Sequence, residues 1–147
     1  INFTSDKKIA FTRSRPYNKN DNCWVEQKNY THVRELFGYE RIEEEHLVRL
    51  MNVIYKNYWN PLQNFFIPTF KLKEKIRVGS RIQKKYDDPK TPYQRLMESS
   101  HLTEDQKVRL REMKKELDPF KLERDLESNL KVFFTLLKQS KIEASAA

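Results

Sequence analysis

Residues 47–58 read Leu-Val-Arg-Leu-Met-Asn-Val-Ile-Tyr-Lys-Asn-Tyr, and in them Leu47, Leu50, Met51, Ile54, Tyr55 and Tyr58 recur at i, i+3, i+4, i+7, i+8 and i+11. That spacing lays one apolar stripe along an α-helix, the clearest periodic signal in the chain. Pro61 is expected to end or kink the helix, and the aromatics Trp59, Phe65, Phe66 and Phe70 follow. Upstream, Asn20, Asp21 and Asn22 are all good N-caps for a helical pattern from Cys23 to Phe37, with Gly38 placed as its stop. Before that, Ile9 to Thr12 is short and β-prone, and Arg13 to Asn20 reads as a polar connection containing Pro16.

Downstream of the stripe the composition shifts. Residues 71–95 hold nine basic residues (Lys71, Lys73, Lys75, Arg77, Arg81, Lys84, Lys85, Lys90 and Arg95) against three acids (Glu74, Asp87 and Asp88). Alternation around Ile76, Val78 and Ile82 suggests an extended ribbon broken at Gly79, and the prolines between Asp87 and Pro92 suggest a linker. The last third is helical. Thr91-Pro92 starts a short helix through Met97, and Thr103 with Gln106 forms a capping box for a helix ending near Leu117. Asp118-Pro119 starts another, carrying Leu122, Leu126, Leu130, Phe133 and Leu137 on one face. These last two helices are expected to pair as an antiparallel hairpin that buries its own stripe.

The 147 residues fit one domain, or a small domain with an appendage. The presence of only two glycines speaks against a turn-dense all-β fold. Lys and Arg outnumber Asp and Glu by 29 to 21, a net charge of +8 that favours a polyanionic partner, nucleic acid or an anionic membrane surface. No apolar run reaches the ~18–20 residues of a membrane span, so a cytoplasmic location is expected. The first residue is Ile1, which points to a start inside a longer protein or after a removed segment. Cys23 is the single cysteine, which excludes an internal disulfide and a Cys-rich zinc site.

Motifs for phosphate loops, His-Glu-x-x-His metal sites and nucleophile elbows are absent, and His32, His46 and His101 lack ligand spacing. Glu26 stands in the opening turns of its helix, on the stripe continued by Tyr30, Val33 and Phe37. A carboxylate near the positive end of a helix suits a metal ligand, and equally suits a plain helix-start glutamate. The basic segment can track a phosphate backbone; the bland reading is a solvated linker, which need not be one-signed.

Arg13-Ser-Arg-Pro-Tyr17 followed by Asn20-Asp-Asn-Cys-Trp-Val-Glu-Gln-Lys-Asn29 resembles insertion-sequence transposases with an integrase catalytic core. The resemblance continues through Asn64-Phe65-Phe66, Phe70-Lys71-Leu72, Lys84-Lys85-Tyr86-Asp87 and Pro89-Lys-Thr-Pro-Tyr-Gln-Arg-Leu96, covering nearly the whole chain to about Phe134. It implies the C-terminal part of a ribonuclease-H-like α/β core, hence a mainly α chain with a remnant strand, then a basic extended segment and a helical hairpin. The corresponding boundaries are 1–70, 71–92 and 93–147. It also implies that Glu26 is the last carboxylate of an Asp-Asp-Glu set holding Mg²⁺ or Mn²⁺ for phosphodiester strand transfer, with Asn29 beside it. Both aspartates of that set are missing: Asp6 is the only acid before Asp21, and its surroundings match neither motif.

The expectation is therefore a DNA-binding part of a transposase or integrase, bacterial and nucleoid-associated, which does not catalyse transfer by itself. Its DNA contacts would be Arg13, Arg15, Lys28, Asn29, Lys73, Lys75, Arg77, Arg81, Lys84, Lys85 and Lys90, and a homo-oligomer is open to the parent protein. The alternative is a non-catalytic helical DNA-binding or assembly module.

Overall fold

The computed structural model describes residues 2–9 and 14–146, with side-chain environments for 4–9, 14–18 and 20–143. The chain is mainly helical, with one two-stranded antiparallel sheet among the described residues. It divides into two compact units, Ile1–Arg41 and Ile42–Ala147.

In the first unit, a short helix α1 (Asn2–Asp6) closes with the Ile9 N–H donating to the Thr4 carbonyl at 2.8 Å. Ile9 belongs to no strand, and the rest of the expected β-segment, residues 10–12, lies outside the described residues, as does Arg13. Residues 20–22 do not cap with their side chains. They form a 3₁₀ turn (Lys19–Asn22) leading into α2 (Cys23–Asn29), and the Asp21 carboxylate is spent on Arg15 instead. A π-turn (Tyr30–Arg34) then joins α2 to α3 (Glu35–Phe37), the Glu35 N–H reaching back five residues to the Tyr30 carbonyl. Gly38 ends the helix at φ 77° and ψ −160°, a backbone conformation open almost only to glycine. The stripe carrying Glu26 is unevenly covered: Tyr30 is exposed, Val33 half-buried and Phe37 buried.

The second unit is built on the stripe first read in the sequence. α4 (Glu45–Ile54), a π-turn (Tyr55–Trp59) and α5 (Asn60–Phe65) run on without a break. Pro61 does not end this helix. The π-turn widens the backbone immediately before it, with the Asn60 N–H donating to the Tyr55 carbonyl, and the ring falls in the first turn of α5. A missing donor and a bulky ring are tolerated there, where a regular α-helix would clash. Leu47 and Ile54 are completely buried, with Leu50, Met51, Tyr55 and Tyr58 half-buried around them.

After α5 come β1 (Leu72–Val78), β2 (Arg81–Tyr86), α6 (Pro92–Glu98), α7 (Glu104–Glu116) and α8 (Pro119–Ala146). The capping box expected at Thr103 forms, and a second one forms at Thr91. Thr91 Oγ1 accepts from the Gln94 N–H at 3.1 Å and Thr103 Oγ1 from the Gln106 N–H at 3.4 Å, each returned by the glutamine side chain. Asp118 caps α8 through Oδ1, which accepts from the Phe120 N–H at 2.9 Å.

The expected hairpin of α7 and α8 does not form. α8 packs instead on α4, the π-turn and α5, burying Leu122, Leu126, Phe133 and Leu137. The cause lies in α7, which has no buried residue, is charged around most of its circumference, and sets its apolar Leu110 and Met113 beside Pro92, Tyr93 and Leu96 of α6. α4 offers α8 an apolar face. The last helix therefore closes the core of this unit rather than standing as a separate module.

Phe133 has no exposed surface, while its neighbour Phe134 is 42% exposed and meets it edge-to-face at 5.4 Å. Phe133→Ala should cost about 3–5 kcal/mol in urea unfolding, as for a buried aromatic that leaves a cavity. Phe134→Ala should cost less than half as much, and equal losses would show that α8 does not close this core.

Candidate nucleic-acid interface

The hairpin of β1 and β2 begins with alternation around β-branched residues, Ile76, Val78 and Ile82. Lys, Arg, Ile and Val alternate over residues 72–86, and Gly79 provides the one positive φ, 62°, at the first position of a two-residue turn. That fits the turn in which glycine leads and whose twist matches the flanking strands. Val78 pairs with Arg81, Arg77 with Ile82, Ile76 with Gln83, Lys75 with Lys84 and Glu74 with Lys85. A bulge at Lys73 then returns the register to Leu72 opposite Tyr86.

Every residue of both strands is exposed. The ribbon thus has no covered face, and an isolated pair of strands is only marginally stable in water. Its base is what holds it. Arg95, in α6, donates from Nη1 to Asp87 Oδ2 at 2.6 Å and from Nη2 to the Thr69 carbonyl at 2.7 Å. Asp87 Oδ1 also accepts from the Lys71 N–H at 2.6 Å, and the Asp87 N–H returns a bond to the Lys71 carbonyl. Thr69 and Lys90 pair across the same place, and Phe70 meets Tyr86 edge-on at 6.4 Å. The Asp87–Pro92 stretch, read as a linker from its prolines, is tied down at both ends. The Arg95 Nε, buried and without a partner, is left over from this arrangement.

The clasp sorts the basic residues. Arg95 is paired with Asp87, and Lys90 with Glu98 at 2.7 Å, so Lys90 does not stand free for an external anion as the sequence had suggested. Lys73, Lys75, Arg77, Arg81, Lys84 and Lys85 form no ion pair among the described residues. Lys73 and Lys85 also line a polar concavity at the ribbon base with Tyr86, Asp87, Asp88 and Lys90. Six unpaired cations against Glu74, projecting into water, are suited to a polyanion.

In the first unit, Glu26 lines an open concavity of about 810 Å³ with Ser14, Arg15, Pro16, Tyr17, Asn18 and Asn22. A β-turn shapes its rim: the Asn18 N–H donates to the Arg15 carbonyl at 3.3 Å, Pro16 fills the second position, and Tyr17 takes φ 62° at the third. A non-glycine residue there is strained, and Tyr17 is fully exposed. Arg15 is clamped to Asp21 through Nε at 2.9 Å and Nη2 at 2.9 Å, with its backbone N–H adding a third bond at 3.0 Å. Those bonds to Arg15 hold the Asp21 carboxyl below its ordinary range.

The structure therefore brings Arg15 and Glu26 to one concavity. Lys28 and Asn29 line a different, apolar groove with Trp24, Val25, His32 and Val33, where burial and the nearby Lys28 lower the His32 pKa. With Asp21 engaged, Glu26 is the one uncommitted carboxylate at the concavity among the described residues. No group of three His, Cys, Asp or Glu among the described residues could share a metal ion. Mg²⁺ prefers six oxygen ligands, and the residues present do not by themselves fit an Mg²⁺ or Mn²⁺ site.

The Arg15–Asp21 clamp and the Arg95 clasp were both missed in the sequence. Their partners sit 6, 8 and 26 residues apart, separations that no helical or strand periodicity marks. No helix among the described residues is long and apolar enough to cross a membrane.

An uncharacterized protein of Sinorhizobium fredii, y4rM, is 44% identical to this chain over 87 residues. The match takes in 59% of this chain and 25% of that protein, so the chain spans about a quarter of the relative's length. No protein-family model and no solved structure matches.

Asp87 offers a direct check on the clasp. Hydrogen bonds from Arg95 and from the Lys71 backbone hold its carboxyl at about 2, against ~3.9 in an unfolded chain. A depressed folded value means the stabilisation is whole above the unfolded pKa and is lost as pH falls through about 2. Protection factors of the β1 and β2 amides, taken against intrinsic exchange at each pH, should fall over that acid window in the native chain, and Asp87→Asn should show low protection already at neutral pH. Unchanged ribbon protection in the variant would remove the clasp from this account.

Proposed function

We propose that this chain is the DNA-gripping C-terminal part of a transposase or integrase that joins DNA by metal-dependent phosphodiester strand transfer. The observation that carries the proposal is the β1–β2 ribbon, exposed on both faces and held at its base, with six unpaired cations and a single acid. A solvated linker has no reason to be folded into a register and clasped. An anion-binding arm has both. The residues from Arg13 to Asn29 that resemble the transposase motif support the rest of the reading, because Arg15 and Glu26 meet at one concavity.

In this reading Glu26 is one of three carboxylates that hold divalent ions in the parent protein, and the other two belong to segments outside this chain. The parent's core would be ribonuclease-H-like, its partner DNA, and its place the bacterial nucleoid. This chain binds DNA without cutting it, since a single carboxylate cannot hold the ions that activate a water or a 3′-hydroxyl. No catalytic step is assigned to the residues present.

DNA affinity should depend steeply on salt. If about five phosphates are neutralised, log K falls against log[salt] with a slope of roughly −4 to −5, measurable by fluorescence anisotropy on a duplex of arbitrary sequence. Salt-insensitive binding, or none at low ionic strength, would sink the DNA reading.

Strand transfer separates the second claim from the first. The purified chain should neither nick nor join DNA ends in Mg²⁺ or Mn²⁺. In the full-length parent, Glu26→Gln should abolish joining and leave duplex affinity within about twofold, because the substitution removes no cation and keeps the side chain's size. Retained joining would remove Glu26 from the site.

A further inference from the structure

The nucleic-acid reading treats the ribbon as a charged arm; its register says more. Directly paired residues of an antiparallel ladder share a face, and successive residues alternate between faces. One face therefore carries Lys75 opposite Lys84 and Arg77 opposite Ile82, with Leu72 and Tyr86 nearest the base. The other carries Glu74 opposite Lys85, Ile76 opposite Gln83 and Val78 opposite Arg81. Lys73, at the bulge, has no paired position and is counted on neither face; the first face then has three cations and no acid. The second has two cations, one of them directly across from Glu74.

We infer that the ribbon meets duplex DNA with one face only, that of Lys75, Arg77 and Lys84. This rests on the nucleic-acid reading above. Like charges placed directly opposite each other weaken a ribbon, and Lys75 with Lys84 is such a pair on a hairpin that has no core to compensate. Folding alone gains nothing from it. A row of phosphates laid along this face neutralises both lysines and relieves the repulsion. On the opposite face Glu74 has the reverse effect, since it would repel the same phosphates and already offsets Lys85.

The geometry points to a polyphosphate strand rather than a broad anionic surface. Lys75 and Arg77, two residues apart on β1, are separated by about 6.8 Å along the strand, so the face presents its cations as a row rather than as a cluster. The strands themselves are about 4.8 Å apart, and a two-stranded ribbon is narrow enough for a major groove about 12 Å wide. With neither face covered, nothing in the second unit has to move away from the ribbon.

The test compares two double variants that each remove two positive charges from the full chain: Lys75→Gln/Lys84→Gln and Arg81→Gln/Lys85→Gln. Binding to a 20-base-pair duplex (about two turns) is followed by anisotropy at several salt concentrations, and ribbon amide exchange reports folding. The first variant should flatten the salt slope by about 2 and weaken low-salt binding by about tenfold or more, while the second shifts the slope by less than about 0.5. Ribbon amides in the first variant should exchange no faster than in the native chain, because a repulsive pair has been removed. Lys75→Arg/Lys84→Arg should keep the native slope.

Equal flattening by the two variants, or a larger effect of the second, would overturn the one-face assignment while leaving DNA binding in place. If the first double variant loses ribbon protection, the single variants Lys75→Gln and Lys84→Gln, against Arg81→Gln and Lys85→Gln, decide on the same comparison of slopes. A native chain that binds no duplex removes the reading beneath the inference. Loss of binding to phosphatidylserine vesicles in the Lys75/Lys84 variant, with duplex binding unchanged, would make the partner of this face a membrane and overturn it.

Discussion

A helix of 28 residues, α8, has one apolar stripe and must bury it, and the second unit is arranged around the place where it does so. The stripe of Leu122, Leu126, Phe133 and Leu137 lies on the continuous helix of residues 45–65, whose own buried positions are Leu47, Ile54 and Phe65. Burial of side chains of this size contributes on the order of 1.5–3 kcal/mol each before conformational entropy is deducted, which is far more than any ion pair on the surface of this protein can supply. Once that contact is made, α5 is held in position, and α6 packs on α5 with Phe65 and Tyr93 at 5.4 Å between ring centres.

That chain of contacts reaches the ribbon base through two residues, Arg95 and, beside it, Lys90 paired with Glu98. Arg95 projects from α6 and holds together Thr69, before β1, and Asp87, after β2. The clasp is a partly sheltered, charge-assisted pair, which is the kind of ion pair that keeps its geometry, unlike the exposed Arg49–Glu45 pair on α4. The consequence is a division of labour within one unit: a packed helical base supplies rigidity, and an unpacked arm supplies charge. A ribbon with no apolar face of its own could not hold a defined register in water without such an anchor, and its register decides which cations stand side by side.

The first unit follows a different logic. Its polar loop is organised by Arg15 closing on Asp21, and the exposed, strained Tyr17 marks a turn that the loop holds in place despite its cost. Arg15 therefore acts in the architecture of the concavity, and Glu26 is the acid left uncommitted at its wall. The two carboxylates differ accordingly: that of Asp21 is satisfied by Arg15, and that of Glu26 is exposed.

Local chemistry in the sequence was sufficient for the helices that carry a period or a cap. The Leu47–Tyr58 stripe, the glycine stop at Gly38, the capping box at Thr103 and the start at Asp118 were all legible, because each depends on residues within a turn or two of one another. The ribbon and its turn at Gly79 were legible in outline from alternation and one glycine. What the tertiary structure alone decided were the pairings between distant residues: that α8 packs on the helix of residues 45–65 and not on α7, that a π-turn lets the helix pass Pro61, that Lys90 and Arg95 are consumed by Glu98 and Asp87, and that Lys75 faces Lys84. An apolar stripe states that it must be covered but not by what, and a lysine states its charge but not its neighbour. Those choices are made by competition among all the surfaces of the folded chain, and a one-dimensional pattern carries no record of it.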